Sequence, residues 1–241
     1  MSAPSGLASN DPRAVTRSFV SRSASPNAIR PEDILELPVY RRVRSDYRNL
    51  ITELKRFRRA RLAPHVGLLF ENRETVLHQI HEVLLLEGHT PARVRSELQQ
   101  YACLLPPPGE LRATAMVDGG GPALGRRLVA ALRRPGAVRL TVGALTCGSE
   151  LAADDDTDDE DAVQYLRFRP SIALRQSLHA ISCAELSFEV EGRSFITAVS
   201  DGLRDQLAQD LDAAPVASLL TTLAACPVIS PSSPRRMPWP F

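Results

Sequence analysis

The spacing of apolar residues predicts a largely helical first part of the chain. Apolar side chains recur at intervals of three or four over residues 38–61, 73–87 and 91–101, which places them on one face of each helix. Asn72 is a typical N-cap for the second of these helices. The short apolar run 66–70 lies between the first two helices and predicts a buried strand.

The second part of the chain alternates between strand and helix patterns. The predicted strands are residues 112–117, 137–142, 163–168, 184–190 and 193–199, and the predicted helices are residues 123–133, 172–180 and 202–211. Two strand–helix–strand passes joined by a long excursion are typical of a ferredoxin-like (split βαβ) antiparallel sheet with helices. The sequence therefore predicts an α+β fold in which a helical N-terminal portion precedes that sheet.

Proline-rich and charged segments divide this pattern into parts. The break Pro106-Pro107-Pro108-Gly109 predicts a boundary between a mainly helical subdomain and the ferredoxin-like α+β subdomain, and an acidic loop interrupts the latter. The terminal segments are rich in Ser and Pro, or are interrupted by proline, so we expect them to be disordered or flexible. The predicted organisation is a leader (1–28), a helical subdomain (29–105), an α+β subdomain (110–211) with its acidic loop (154–161), and a tail (212–241).

Composition and charge restrict the function. Lys and Arg number 29 and Asp and Glu number 28, which leaves a formal net charge of +1 and no overall field to attract nucleic acid. The N-terminus lacks the apolar core of a signal peptide, and prolines interrupt the apolar stretch 213–229. We therefore expect a cytoplasmic protein without a membrane span. Since the chain also has no G-x-S-x-G, H-E-x-x-H or phosphate-loop motif, the sequence favours a protein that is not an enzyme.

One string of residues resembles a known family. The string LAPHVGLLFENRETV occupies residues 62–76, and Gln79, Ile80 and Glu82 follow it. The likeness also covers these flanking positions: Glu32, Asp33, Ile34, Arg48, Lys55, Arg58, Arg59, Leu166, Arg167 and Phe168. Together they resemble the bacterial family known as domain of unknown function 3501, over roughly residues 30–211.

The resemblance implies no catalytic residues and no cofactor. Genes of that family often lie beside those of rubrerythrin-like and iron–sulfur oxidoreductases, which implies a redox partner. The expected function is therefore that of a non-catalytic accessory or interaction protein that serves such an oxidoreductase.

A basic stripe and the charged corner after it are the predicted partner-binding surface. The residues assigned to it are Arg48, Lys55, Arg58, Arg59, Glu71, Asn72 and Arg73. Charge complementarity at such a surface would set the orientation and association rate of a protein partner. Two alternatives remain open at this point. The arginines could pair with carboxylates inside the protein, or the basic helix 41–61 could bind nucleic acid, which the small net charge disfavours.

The helix after that corner carries a second candidate site. Imidazole and carboxylate side chains four residues apart on a helix can chelate iron, manganese or zinc, so a metal-binding protein or metal-dependent enzyme that uses residues 65–82 is an alternative function. The candidate ligands are His65, Glu74, His78, His81 and Glu82. No matching Glu-x-x-His motif occurs on another helix, and a solvated helix face is the competing interpretation.

Overall fold

An eight-stranded antiparallel sheet that curls into a nearly closed barrel is the centre of the structure. The structure is a computed structural model that describes residues 28–152, 162–181 and 183–212. The strands are β1 (Arg59–Ala63), β2 (Val66–Glu71), β3 (Leu111–Val117), β4 (Val138–Val142), β5 (Leu145–Leu151), β6 (Val163–Phe168), β7 (Ala184–Val190) and β8 (Arg193–Ala198). The helices are α1 (Leu37–Arg56), α2 (Arg73–Glu87), α3 (Pro91–Gln100), α4 (Gly121–Leu132), α5 (Ile172–Ala180) and α6 (Asp201–Leu211).

The strand order brings the two edges of the sheet together. The order is β1-β2-β3-β6-β5-β4-β7-β8, and each neighbouring pair is antiparallel. At the seam between β1 and β8 the Thr197 hydroxyl donates a hydrogen bond of 2.6 Å to the Arg61 carbonyl. In the described chain no ladder of backbone hydrogen bonds joins β1 to β8.

The main core lies between one face of the sheet and three helices. Alternate residues of β2, β3, β6 and β7 are buried there, as the two-residue period of a strand requires. Helices α4, α5 and α6 contribute the apolar side chains that pack against them. A smaller cluster joins α2, α3 and Tyr165 of β6, and a third joins Tyr40, Tyr47 and Ile51 of α1 to Leu85 of α2. The N-terminal helices therefore pack beside the barrel, where α2 and α3 share a cluster with β6.

The prediction of a ferredoxin-like sheet after a helical N-terminal portion is wrong, although the α+β content is confirmed. Two strands that the pattern did not predict belong to the sheet: β1, predicted as the end of a helix, and β5. The sequence of β1, RARLA, has no β-branched or aromatic residue, and β5 contains Gly148, so neither has strong strand propensity. Both segments are strands because they pair with neighbouring strands of the sheet.

The predicted boundary at residues 106–109 falls between two paired strands. Strands β2 and β3 pair at six positions, from Val66 opposite Val117 to Glu71 opposite Arg112. The first 105 residues thus supply two strands of the sheet. The predicted leader and tail lie, apart from one residue each, outside the described residues, and the acidic loop 154–161 lies wholly outside them.

Candidate functional site

Helix α1 presents a row of basic side chains beside its buried face. Tyr40 and Tyr47 are buried against α2, while Arg41, Arg48 and Lys55 recur every seven residues along the edge of that face. Arg59, the first residue of β1, continues the row. We call Arg41, Arg48, Lys55 and Arg59 the basic surface.

The cations of the basic surface are not neutralised by the described part of the protein. Arg41, Arg48 and Arg59 are exposed, and none of them forms an ion pair with a described residue. Lys55 is half-buried. Burial, and then the nearby Arg59 guanidinium, lower the pKa of the Lys55 amine, while Glu71 acts in the opposite direction.

Arg44 lies on the same side of α1 but is already paired. Its Nε and Nη2 atoms donate hydrogen bonds of 2.8 and 2.7 Å to the two oxygens of Glu82, and the Tyr40 hydroxyl donates a third, of 2.6 Å. These donors stabilise the ionised carboxylate, so the hydrogen bonds from Arg44 lead in lowering the pKa of Glu82 to about 2. These three side chains fix α1 to α2. The positive charge of Arg44 is balanced by Glu82 and is not available to a partner.

His81 is fixed between two backbone groups. Its Nε2 atom accepts a hydrogen bond of 3.0 Å from the Leu35 amide, which requires Nδ1 to carry the proton that it shares with the Leu77 carbonyl at 2.9 Å. Burial of this neutral ring lowers the pKa of His81 to about 4. The imidazole therefore has a structural role and no free nitrogen for a metal.

His78 lies beneath the basic surface. Both of its ring nitrogens are buried without a hydrogen-bond partner, and its ring centroid is 5.6 Å from that of Tyr47. Burial first, and then the positive charge of Lys55, lower the pKa of His78 to about 4. We expect the His78 ring to be neutral, because a protonated ring at this place would be desolvated and repelled by the nearby cations.

The remaining two candidate metal ligands, Glu74 and His65, are engaged by other groups. Glu74 is held by Arg73, 3.0 Å away, and the Nδ1 atom of His65 lies 2.8 Å from the Asp118 carbonyl at the far end of β1. Burial raises the pKa of Glu74, and Arg73 opposes that shift. Within the described ranges, no three His, Cys, Asp or Glu side chains are arranged to hold a metal ion.

The charged corner at the start of α2 is built into the interior. The Asn72 side chain accepts a hydrogen bond from the Thr75 amide and caps the helix, as the sequence predicts. Glu71 accepts hydrogen bonds from the hydroxyls of Thr75 (2.5 Å) and Thr114 (2.6 Å). Arg73 is 6 % exposed and lies 2.9 Å from the Asp33 carboxylate. These side chains hold together α2, β3 and the single 3-10 turn Pro31–Asp33, which we call the N-terminal turn.

Arg58 is fully buried and pairs with Asp210 of α6. The Nη1 atom of Arg58 donates a hydrogen bond of 3.0 Å to Oδ2 of Asp210. Burial raises the pKa of Asp210 to about 6, and the Arg58 guanidinium limits that rise. This pair ties the turn before β1 to the last helix of the described chain.

The predicted partner-binding residues therefore separate into two groups. Arg48, Lys55 and Arg59 form part of the basic surface, whereas Arg58 and the three residues of the corner, 71–73, are buried in internal hydrogen bonds and ion pairs. Tyr40 is not among the residues that the sequence predicts for a site. Its position four residues before Arg44, on the same helix side, was the available signal.

Fold and site define an α+β protein whose barrel-like antiparallel sheet carries an amphipathic helix with a basic edge. The chain belongs to the family described as protein of unknown function (DUF3501), whose model matches residues 28–211. This confirms the family that the 62–82 string indicates. A search of curated proteins gave no match.

A solved structure shares the fold. The crystal structure of a protein of unknown function from Burkholderia pseudomallei K96243 superposes with a TM-score of 0.68 at 25 % sequence identity. The alignment covers 77 % of this chain and 100 % of that one. In this protein, none of the helices in the described ranges has both the length and the apolar character that a bilayer crossing requires.

Proposed function

We propose that this protein is a non-catalytic accessory protein that docks onto an acidic surface of a partner protein through the basic surface. The observation that carries the proposal is the row of exposed arginines, Arg41, Arg48 and Arg59, which form no ion pair with a described residue. Charges left unpaired on a rigid surface favour association with a surface of opposite charge.

The rigidity of the helix supports this function. Tyr40 and Arg44 fix α1 to Glu82 of α2, so Arg41 and Arg48 project from a helix that cannot rotate freely. An interface that is already ordered loses less conformational entropy when it binds. The family resemblance implies genes that lie beside those of oxidoreductases. This gene neighbourhood suggests a rubrerythrin-like or iron–sulfur protein as the partner.

Charge reversal at two positions tests the proposal. We expect the variant Arg48→Glu/Arg59→Glu to fold normally and to weaken binding of a purified rubrerythrin-like or iron–sulfur partner by about tenfold or more at low salt. The difference should shrink as salt rises, because exposed charges are screened over about 8 Å at physiological ionic strength. Titration of the partner at several salt concentrations, followed by calorimetry, measures both effects.

The matched control makes the same change in net charge at two arginines outside the basic surface. Arg95 and Arg126 are exposed, and neither forms an ion pair with a described residue, so Arg95→Glu/Arg126→Glu should bind the partner like the wild type. Equal binding by both double variants would contradict docking through α1. Tighter, salt-dependent binding of duplex DNA than of any acidic protein would instead favour the nucleic-acid alternative.

A further inference from the structure

A cleft of about 490 Å³ opens at the end of the barrel where β1 turns into β2. Its sides are this turn, helix α4 and the hairpin of β7 and β8. The volume lies in the range of small-molecule sites, which is roughly 300–1,000 Å³. None of the residues of the basic surface lines it.

The inner wall of the cleft is apolar. Leu128 and Val190 are buried and belong to the main core, and the half-buried Phe195 completes the wall. An apolar wall that is continuous with the core favours the hydrocarbon part of a ligand, because water in contact with it is released on binding.

The mouth of the cleft carries charged side chains from two elements. Arg127 of α4 lies 3.1 Å from a carboxylate oxygen of Glu191, whereas Arg193 forms no ion pair with a described residue. Two cations and one carboxylate leave one uncompensated positive charge at the mouth. That charge matches a monoanion better than the doubly charged form of a phosphate.

His65 adds an oriented imidazole to the same mouth. Its Nδ1 atom is engaged with the Asp118 carbonyl at 2.8 Å, and its Nε2 atom has no hydrogen bond to a described residue. The ring lies against Gly119 and Gly120. Side chains there would approach its atoms to 3.2 and 3.3 Å, and both glycines have positive φ angles. The glycine loop thus allows the ring to lie at the cleft.

From these features we propose that the cleft binds a small organic carboxylate with an apolar body. Arg193 anchors the carboxylate through its guanidinium, which can donate two parallel hydrogen bonds. The apolar body lies along Leu128 and Phe195, and the His65 ring bounds the polar end. This site is independent of the basic surface, so partner docking can fail without affecting it.

Titrations with matched probes test this site. We expect 3-phenylpropanoate and hexanoate to bind the full-length protein with NMR shifts confined to the cleft, and the neutral 3-phenylpropanamide to bind at least about tenfold more weakly, since a charge-assisted hydrogen bond is lost. The variant Arg193→Gln should weaken carboxylate binding by about the same factor. Arg193→Lys, which retains the charge, should retain part of the affinity.

Arg139→Gln is the control, because Arg139 is an exposed arginine on β4 that pairs with Glu189 outside the cleft. It should bind both carboxylates like the wild type. Four results would each overturn the proposal: equal binding of acid and amide, unchanged binding by Arg193→Gln in a normally folded protein, preference for inorganic phosphate, or no binding of either carboxylate up to about 10 mM.

Discussion

At the scale of single residues, the imidazoles of α2 show how one side chain type acquires different roles from its surroundings. His81 uses both ring nitrogens for backbone groups, while the nitrogens of His78 are buried without a partner. Their spacing on the helix suggested a shared metal site. Neither the hydrogen bond from Leu35 nor the burial of both rings could be predicted from that spacing, because they depend on how α1 and the N-terminal turn pack.

The buried neutral state of His81 makes stability depend on pH. The pKa of His81 is about 4 in the folded protein, against an ordinary value of 6.5, so the unfolded chain binds more protons between these values. The contribution is therefore complete above pH 6.5 and is lost as pH falls towards 4, on the order of 3 kcal/mol in total. Protonation would also cost the hydrogen bond from the Leu35 amide.

Urea denaturation of wild type and His81→Gln between pH 7 and pH 4 measures this effect. We expect the variant to be less stable at pH 7 and the difference between the two proteins to shrink as pH falls. The raised pKa of Asp210 acts with the opposite sign between pH 6 and its ordinary value of 3.8, but it acts equally in both proteins. A constant difference across the range would contradict a neutral, structural His81.

At the scale of elements, the Arg58–Asp210 pair connects the turn before β1 to α6 across 152 positions of the chain. We expect Arg58→Met to lower the free energy of unfolding by about 3–5 kcal/mol, because it leaves the Asp210 carboxylate buried without its partner. The double variant Arg58→Met/Asp210→Leu should recover most of that loss, since both buried charges are then gone. Chemical denaturation of Arg58→Met, Asp210→Leu and the double variant measures the coupling free energy between the two side chains. Strictly additive losses would show that the two side chains do not stabilise each other.

The same pair shows what the sequence could and could not predict about the elements. Arg58 and Arg59 look alike as neighbours in a basic segment, yet one is buried and the other exposed. The helices and most of the strands follow from local period and capping, as Asn72 at the start of α2 illustrates. The role of Arg58 depends on Asp210, which lies 152 positions away in the chain and approaches it only in the folded protein.

At the scale of the whole molecule, the sheet unites the two parts of the chain that composition separates. The proline-rich break at 106–109 is a connection between α3 and β3, and the ladder of β2 with β3 spans it. Composition detects the break but cannot detect the pairing, because strand partners are set by long-range contacts. The cleft could not be predicted from the sequence for the same reason, because His65, Arg127 and Arg193 come from three separate elements.

This architecture predicts that the chain folds as one unit. We expect a protein of residues 28–212 to show one cooperative thermal transition. Fragments 28–109 and 110–212 should show none when purified separately, because each would expose the paired edges of β2 or β3 and part of the main core. Circular dichroism melting curves of the three proteins test this. A cooperative transition in fragment 110–212 alone would support the predicted division into two subdomains.

The seam between β1 and β8 has a consequence for the behaviour of the protein at high concentration. Each of these strands has an edge whose backbone groups could template the addition of a further strand, and the exposed Ile196 lies on one of them. In the nearly closed barrel the two edges face each other, and a hydrogen bond from Thr197 to the Arg61 carbonyl joins them. When the seam opens, both edges become available together and in complementary pairs. If copies of this chain exchange strands at high concentration, we expect the exchange to begin at this seam, because β1 and β8 are the two edges of the sheet.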